Sequence, residues 1–169
     1  MSITIRRPEE SDTVEAFDSG DYALDNYLKR HAWTNQRKSS IGITYVATDE
    51  SAPRAVVGYF TLAASSVHRD SMPAKYIRGL PPYDLPMILL ARLAVDRRFT
   101  GKGLGRALLA EALKIAATAS EQIGCRAVIV DAYPRAVDWY KTYGFVPIEG
   151  GNRNSVRMYL DIRTVRFAR

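Results

Sequence analysis

The chain has 169 residues, enough for one domain with a sizeable core, and its 47% hydrophobic and 25% charged residues are ordinary globular usage. A formal charge of +6, with a pI of about 9.5, suits an anionic partner such as a nucleic acid or a phosphorylated cofactor. Cys125 stands alone, which excludes an internal disulfide; the charged start MSITIRRPEE has no apolar leader region, and runs such as Met87–Ala91 are too short to span a bilayer, so a cytoplasmic protein is expected.

Ser2 to Arg7 alternates and meets Pro8, which reads as a first strand. Asp21 can cap a helix beginning at Tyr22. Leu24, Tyr27, Leu28 and Ala32 fall on one face of it, and Asp25, Asn26, Lys29 and Arg30 on the other. Ile43–Thr48 and Ala55–Val67 are β-rich runs joined by the turn residues ESAPR, a hairpin. Arg69 to Pro86, with Pro73, Pro81 and Pro82 inside it, predicts a loop or short irregular helix. Met87–Asp96 is strand-like, and a helix is expected from about Leu104 to Ser120, with Arg106, Glu111, Lys114 and Thr118 on its wet face. Arg126–Ala132 is almost continuously apolar, as for a strand buried on both faces, and Cys125 at its start reads as core. Pro134 suits the start of a short helix, Arg135–Lys141, which Gly144 can end. Val146–Glu149 and Ser155–Ile162 close the chain as two more strands. The order is β-α-β-β-β-α-β-α-β-β, with no repeat or linker: one α/β domain with a parallel βαβ unit at its centre.

The stretch RRFTGKGLGRALLAEAL carries the chemistry. Gly101, Gly103 and Gly105 fall between a strand and a helix. A helix N-terminus offers unpaired N–H donors and a favourable dipole to an anion. Glycines clear side chains from that approach and permit positive φ. Arg97, Arg98, Lys102 and Arg106 add positive charge, so the pattern describes a diphosphate cradle. It is no Walker A loop, because Gly103 follows Lys102. It is no dinucleotide fingerprint, because Arg106 fills the last glycine position. What remains is Arg98-Phe99-Thr100-Gly101-Lys102-Gly103, an R-x-x-G-x-G.

That motif resembles the acetyl-CoA site [QR]-x-x-G-x-[GA] of the GNAT N-acetyltransferases. The run Ala136-Val137-Asp138-Trp139-Tyr140-Lys141-Thr142-Tyr143-Gly144-Phe145 is similar to their second signature, A-x-x-[FL]-Y-x-x-x-G-F. The resemblance covers essentially the whole chain. It implies a GNAT fold: a single α/β domain with a mixed, strongly twisted sheet of six to seven strands flanked by helices. It implies acetyl-CoA held by N–H groups of Gly101, Lys102, Gly103, Leu104, Gly105 and Arg106, with Arg98 opening the motif. Leu93, Ala94 and Val95 would lie along the pantetheine arm, a backbone N–H near Val95 polarising the thioester. Ala136 and Tyr140 would come from the second signature, with Tyr140 near the sulfur as general acid and Tyr143 as the other candidate. A phenol near ~10 is a weaker acid than a thiol near ~8.5, so direct donation is uphill by roughly 2 kcal/mol, tolerable if the phenol is hydrogen-bonded to the sulfur. Tyr133 departs from the asparagine often found at its position.

No general base is evident: the strand before the cradle offers Arg92, with Asp96 at its end. Lysine amines (~10.4) usually need a base, whereas α-amines (~7.7) need little help, so the lack favours an α-amine acceptor, although a water relay would act alike. FDSGDYALDNYLKRHA, VVGYFTLAASSV and RLAVDRRFTGKGLGRALL are similar to the family's aminoacyl-tRNA-acetylating toxins. That branch implies an aminoacyl-tRNA acceptor and a ribbon-helix-helix antitoxin as partner, with a homodimer left open. Lys29, Arg30, Arg37 and Lys38 around Trp33 form a basic and aromatic mixture suited to RNA, Arg92 could meet acceptor-end phosphates, and Arg153, Arg157, Arg163, Arg166 and Arg169 load the C-terminal end. His31 and His68 lack ligand spacing, so no metal is expected. Two other readings stay open: an N-acetyltransferase for a small-molecule or protein amine, whose substrate binding would barely respond to salt, and a non-catalytic CoA- or nucleic-acid-binding module, indifferent to Tyr140→Phe.

Overall fold

The computed structural model describes residues 1–167, with side chains through Val165. In chain order the elements are β1 (Ile3–Arg6), α1 (Tyr22–Asn26), α2 (Ala32–Thr34), β2 (Ile43–Asp49), β3 (Ala52–Val67), α3 (Ala74–Ile77), β4 (Leu85–Val95), α4 (Leu104–Ser120), β5 (Ala127–Ala132), α5 (Val137–Thr142), β6 (Val146–Pro147), β7 (Val156–Asp161) and α6 (Ile162–Phe167). The strands form one mixed, seven-stranded sheet in the order β1-β2-β3-β4-β5-β7-β6. The residues gather into two compact units, 1–63 with 91–112, and 64–90 with those from Leu113 onward.

In the first unit β1, β2 and β3 are antiparallel, with Ile3 opposite Asp49 and Ile43 opposite Leu62. The Asp21 side chain caps α1 by accepting the Leu24 N–H at 3.2 Å. The helical stretch runs further than its apolar spacing predicts, through π-helical turns at Tyr27–His31 and Asn35–Ser39, and stops at Ser40, whose φ is 53°. The predicted inner face is the buried one: Tyr27, Leu28 and Ala32 are all buried. They pack with Phe17, Val46, Val56, Tyr59 and Ala94. Phe17 meets the Tyr59 ring edge-on at 5.8 Å, and the Tyr59 hydroxyl donates to the Leu24 carbonyl at 2.7 Å.

In the second unit β5 lies parallel to β4 (Met87 opposite Ala127) and antiparallel to β7 (Ala127 opposite Asp161). As expected of a strand covered on both faces, all of β5 except Asp131 is buried. Its core partners include Val67, Met72, Leu85, Met87 and Tyr159.

Strand boundaries and the burial of Cys125 differ from the sequence reading. Strand β4 begins at Leu85 and includes Pro86, which serves by accepting the Arg126 N–H at 2.8 Å, a pairing that needs no N–H of its own. The rest of the Arg69–Pro86 stretch is the irregular segment expected, with a 3₁₀ turn at Arg69–Ser71 and the short α3. The final strand stops at Asp161, where the carboxylate accepts the Arg163 N–H at 2.8 Å and starts α6. Cys125 is half-buried ahead of β5, its thiol 3.3 Å from the Ala127 carbonyl, not a core residue.

Candidate active site

The glycine turn follows the end of β4. Ala94 turns into the first unit's core, while Leu93 and Val95 are half-buried on the other side of the strand. Asp96 then leaves the strand with its N–H on the Val57 carbonyl at 2.9 Å. Its buried carboxylate accepts the Arg98 N–H at 2.9 Å and the Asp18 N–H at 3.2 Å. It also takes the Arg98 guanidinium in a fork, at 2.9 and 2.8 Å. The Arg98 hydrogen bonds hold the Asp96 carboxyl down, to about 2, against the opposing effect of burial. Arg97 donates its N–H to the Asp18 carbonyl at 2.8 Å, and its guanidinium pairs with the Asp18 carboxylate.

Past the 3₁₀ turn Arg97–Phe99, Gly101 and Gly103 adopt φ of 78° and 82°. A Cβ on either would meet no protein atom within 4 Å, so it is the left-handed backbone, not crowding, that calls for glycine. The Gly103 carbonyl accepts the first bond of α4, from the Ala107 N–H at 3.1 Å. The N–H groups of Leu104, Gly105 and Arg106 are therefore the leading donors of a 17-residue helix. Leu104 is buried and anchors that turn; Lys102 and Arg106 are exposed at it. Open space, positive-φ glycines, helix-end donors and two exposed cations fit a diphosphate.

One contributor escaped the sequence reading. At Gly58 of β3 a Cβ would come within 2.9 Å of Leu108 and 3.3 Å of both Leu104 and the Ala94 carbonyl. Glycine there lets the first turns of α4 close on the strand. A lone glycine inside VVGYF was the available signal.

The second signature forms its own small structure. Ala136, half-buried, ends the turn Pro134–Ala136, and α5 follows. Tyr140 is 6% exposed, with ring edges on Trp139 at 4.9 Å and Phe145 at 5.4 Å. Burial pushes its phenol up to about 12. Trp139 also meets Tyr143, which is half-buried, at 5.0 Å. Gly144, at φ 94°, ends the helix as expected.

Among the basic residues, Lys29, Arg30, Arg37 and Lys38 are exposed. Arg37 stands 5.0 Å over the Trp33 ring, and Lys29 and Trp33 line one cavity of about 210 Å³ floored by Leu28, Ala32, Val46 and Val56. Arg92 is half-buried, 3.7 Å from the Tyr27 ring centroid. The C-terminal arginines are less available than the sequence suggests: Arg157 pairs with Asp131 at 2.8 Å and Arg163 with Asp161 at 2.9 Å. Arg169 and the Arg166 side chain lie outside the described residues. Among the described residues no group of three His, Cys, Asp or Glu could hold a metal, and no helix is long and apolar enough to cross a membrane.

Comparison with known proteins agrees with this architecture. The model of the acetyltransferase (GNAT) domain family matches residues 40–147. The tRNA-acetylating toxin of Mycobacterium tuberculosis (strain ATCC 25618 / H37Rv) is 38% identical over 127 residues, which span 75% of this chain and 74% of that one. AtaT complexed with acetyl-methionyl-tRNAfMet has a TM-score of 0.89 at 29% identity, covering 99% of both chains. A tyrosine-to-phenylalanine variant of AtaT, bound to the C-terminus of the antitoxin AtaR and acetyl-CoA, has a TM-score of 0.82 at 26% identity over 99% of this chain and 98% of that one. The chain belongs to the GNAT acetyltransferase family. It is an acetyl-CoA-dependent N-acetyltransferase, similar to tRNA-acetylating toxins.

Proposed function

We propose that this enzyme acetylates the α-amine of aminoacyl-tRNA, blocks translation by doing so, and is held in check by an antitoxin. The observation that carries this reading is the 0.89 TM-score, over 99% of both chains, with AtaT complexed with acetyl-methionyl-tRNAfMet. The similar complex with an antitoxin C-terminus supports the second partner, and a tRNA acceptor makes the cytoplasm the place of action.

Acetyl-CoA supplies an activated acetyl thioester. The N–H groups from Gly101 to Arg106 would hold its diphosphate, helped by Lys102 and Arg106, with Arg98 part of the same turn. Leu93, Ala94 and Val95 would line the pantetheine arm, and a backbone N–H near Val95 would donate to the thioester carbonyl oxygen. Ala136 and Tyr140 would be the second signature's own contacts to the cofactor. The Tyr140 phenol, pushed up to about 12, stays protonated at neutral pH. Handing that proton outright to a thiolate near ~8.5 is uphill by about 5 kcal/mol. The phenol would therefore stabilise the departing sulfur through a hydrogen bond while keeping its own proton, and the proton lost by the amine as the C–N bond forms and the C–S bond breaks would end on that sulfur.

The acceptor must arrive neutral, because the carboxylate at the strand end is unsuited to base work. Asp96 is buried, engaged by four N–H donors and held at about 2. Arg92, earlier on the same strand, is a cation. An α-amine near ~7.7, lower still when its carboxyl is esterified, needs no base at pH 7, whereas a lysine side chain near ~10.4 does. Lys29, Arg30, Arg37, Lys38 and Arg92 supply phosphate contacts, and Trp33 a stacking face.

Labelled acetyl-CoA incubated with total charged tRNA, deacylated tRNA, free amino acids and a polyamine tests this. Label confined to charged tRNA, and released by mild alkali as an acetyl-amino acid, is expected. Label on the polyamine or free amino acids, with charged tRNA untouched, would leave a small-amine acetyltransferase.

A further inference from the structure

Asp96 takes no part in the acyl-transfer chemistry, yet it is buried outright at the foot of the cradle. Its two oxygens are fully engaged. Oδ1 accepts the Arg98 N–H and Nε–H, each at 2.9 Å. Oδ2 accepts the Arg98 Nη2–H at 2.8 Å and the Asp18 N–H at 3.2 Å. One carboxylate thus ties the strand end to the backbone of two other segments: the 3₁₀ turn that leads into Gly101, and the loop before α1. A second clip reinforces the first. The Arg97 N–H reaches the Asp18 carbonyl at 2.8 Å, the Arg97 guanidinium pairs with the Asp18 carboxylate, and that carboxylate accepts the Gly20 N–H at 2.9 Å.

The glycines cannot place themselves. Nothing lies within 4 Å of the Cβ direction of Gly101 or Gly103, and glycine is the residue with the widest backbone freedom. The geometry of the turn must come from its flanks. On the far side α4 is seated by Leu104 and Leu108 against Gly58. On the near side the anchor is Asp96. A site whose donors must meet a ligand within about 0.5 Å needs such support.

We propose that Asp96 is a positioning residue for the acetyl-CoA diphosphate site, and that Arg98 acts there as the brace Asp96 holds and not as a phosphate ligand. The inference rests on the reading of the glycine turn as the cofactor cradle. With Arg98 neutralised by its carboxylate partner, the cationic pull on the diphosphate comes from Lys102 and Arg106.

A double-mutant cycle on acetyl-CoA affinity decides it, measured calorimetrically on the full chain for the unsubstituted protein, Asp96→Asn, Arg98→Ala and the double variant, each at several salt concentrations. Each single substitution is expected to weaken binding about tenfold, with kcat at saturating acetyl-CoA within about twofold. The double variant should be little worse than either single one, since both break the same brace. Removing Arg98 should leave the salt dependence of binding unchanged. Additive losses, unchanged affinity in both single variants, or a salt dependence that falls in Arg98→Ala as it does in Lys102→Ala, would overturn the proposal. Should Asp96→Asn fail to fold, the salt dependence of Arg98→Ala against Lys102→Ala decides alone. Gly103→Val separates the two levels: normal affinity in that variant sinks the cradle itself, whereas lost affinity there alongside intact affinity in Asp96→Asn and Arg98→Ala sinks only the brace.

Discussion

The glycine turn and the tyrosine helix are built on opposite terms. At Gly101–Arg106 side chains are withdrawn, backbone donors are exposed, and the conformation is imposed from outside by a buried carboxylate and by the packing of α4. In α5 the reverse holds: a phenol is sunk among Trp139 and Phe145 until it is 6% exposed, and its acidity is set by that burial alone. The first arrangement offers binding with little intrinsic chemistry. The second offers a single hydrogen-bond donor with little binding. Substitutions in the two regions should therefore fail in different kinetic parameters.

The largest effect is expected from Tyr140→Phe. It keeps the ring and its contacts and removes only the hydroxyl, so turnover should fall by about 10²- to 10⁴-fold with acetyl-CoA affinity and melting temperature near those of the unsubstituted protein. Steady-state kinetics with a calorimetric Kd would check this, and a kcat reduced less than about threefold would take Tyr140 out of the mechanism. Gly103→Val should do the opposite. A side chain at φ 82° strains the turn and fills the space intended for the ligand, so acetyl-CoA binding should drop by at least about 100-fold. The added Cβ meets no protein atom, so the loss of stability should stay within about 2 kcal/mol.

The same contrast decides what could be read from the sequence. The glycine turn between β4 and α4 was legible because its signal is local: glycines at fixed spacing between a strand and a helix, and the same holds for the strand that follows and for the short helix ending at Gly144. The supports were not. Gly58 acts on Leu104 and Leu108, about fifty residues away, and Asp96 on Asp18, pairings that only tertiary structure creates. The π-helical turns after α1 break the 3.6-residue period on which a helix boundary is read. The basic C-terminal end was overestimated for a similar reason: Arg157 finds its carboxylate on the neighbouring strand, at Asp131, 26 residues away.

Acid should expose the Asp96 brace before it touches Tyr140. A carboxyl held at about 2 in the folded chain, against an ordinary value near ~3.9, contributes about 2 kcal/mol that is fully present above pH ~4 and lost as pH falls toward 2. Melting temperatures of the unsubstituted protein and Asp96→Asn should accordingly differ most at pH 5 to 7 and converge as pH approaches 2. A gap that stays constant across that range would mean the carboxylate's charge is irrelevant to its structural role.

The smallest effect separates two arginines of the same unit. Arg98 is locked onto a carboxylate, while Arg37 lies over the Trp33 ring on the exposed stretch with Lys29, Arg30 and Lys38. A guanidinium on an aromatic face keeps its charge and most of its donors available to phosphate. Arg37→Ala should weaken charged-tRNA binding only severalfold, and should lower the slope of log affinity against log salt by about 0.7 to 0.9, the value of one phosphate contact. Arg98→Ala should leave that slope where it was. Equal slopes in all three proteins would mean that Arg37 meets solvent and not RNA, and that the acceptor is recognised through some other face.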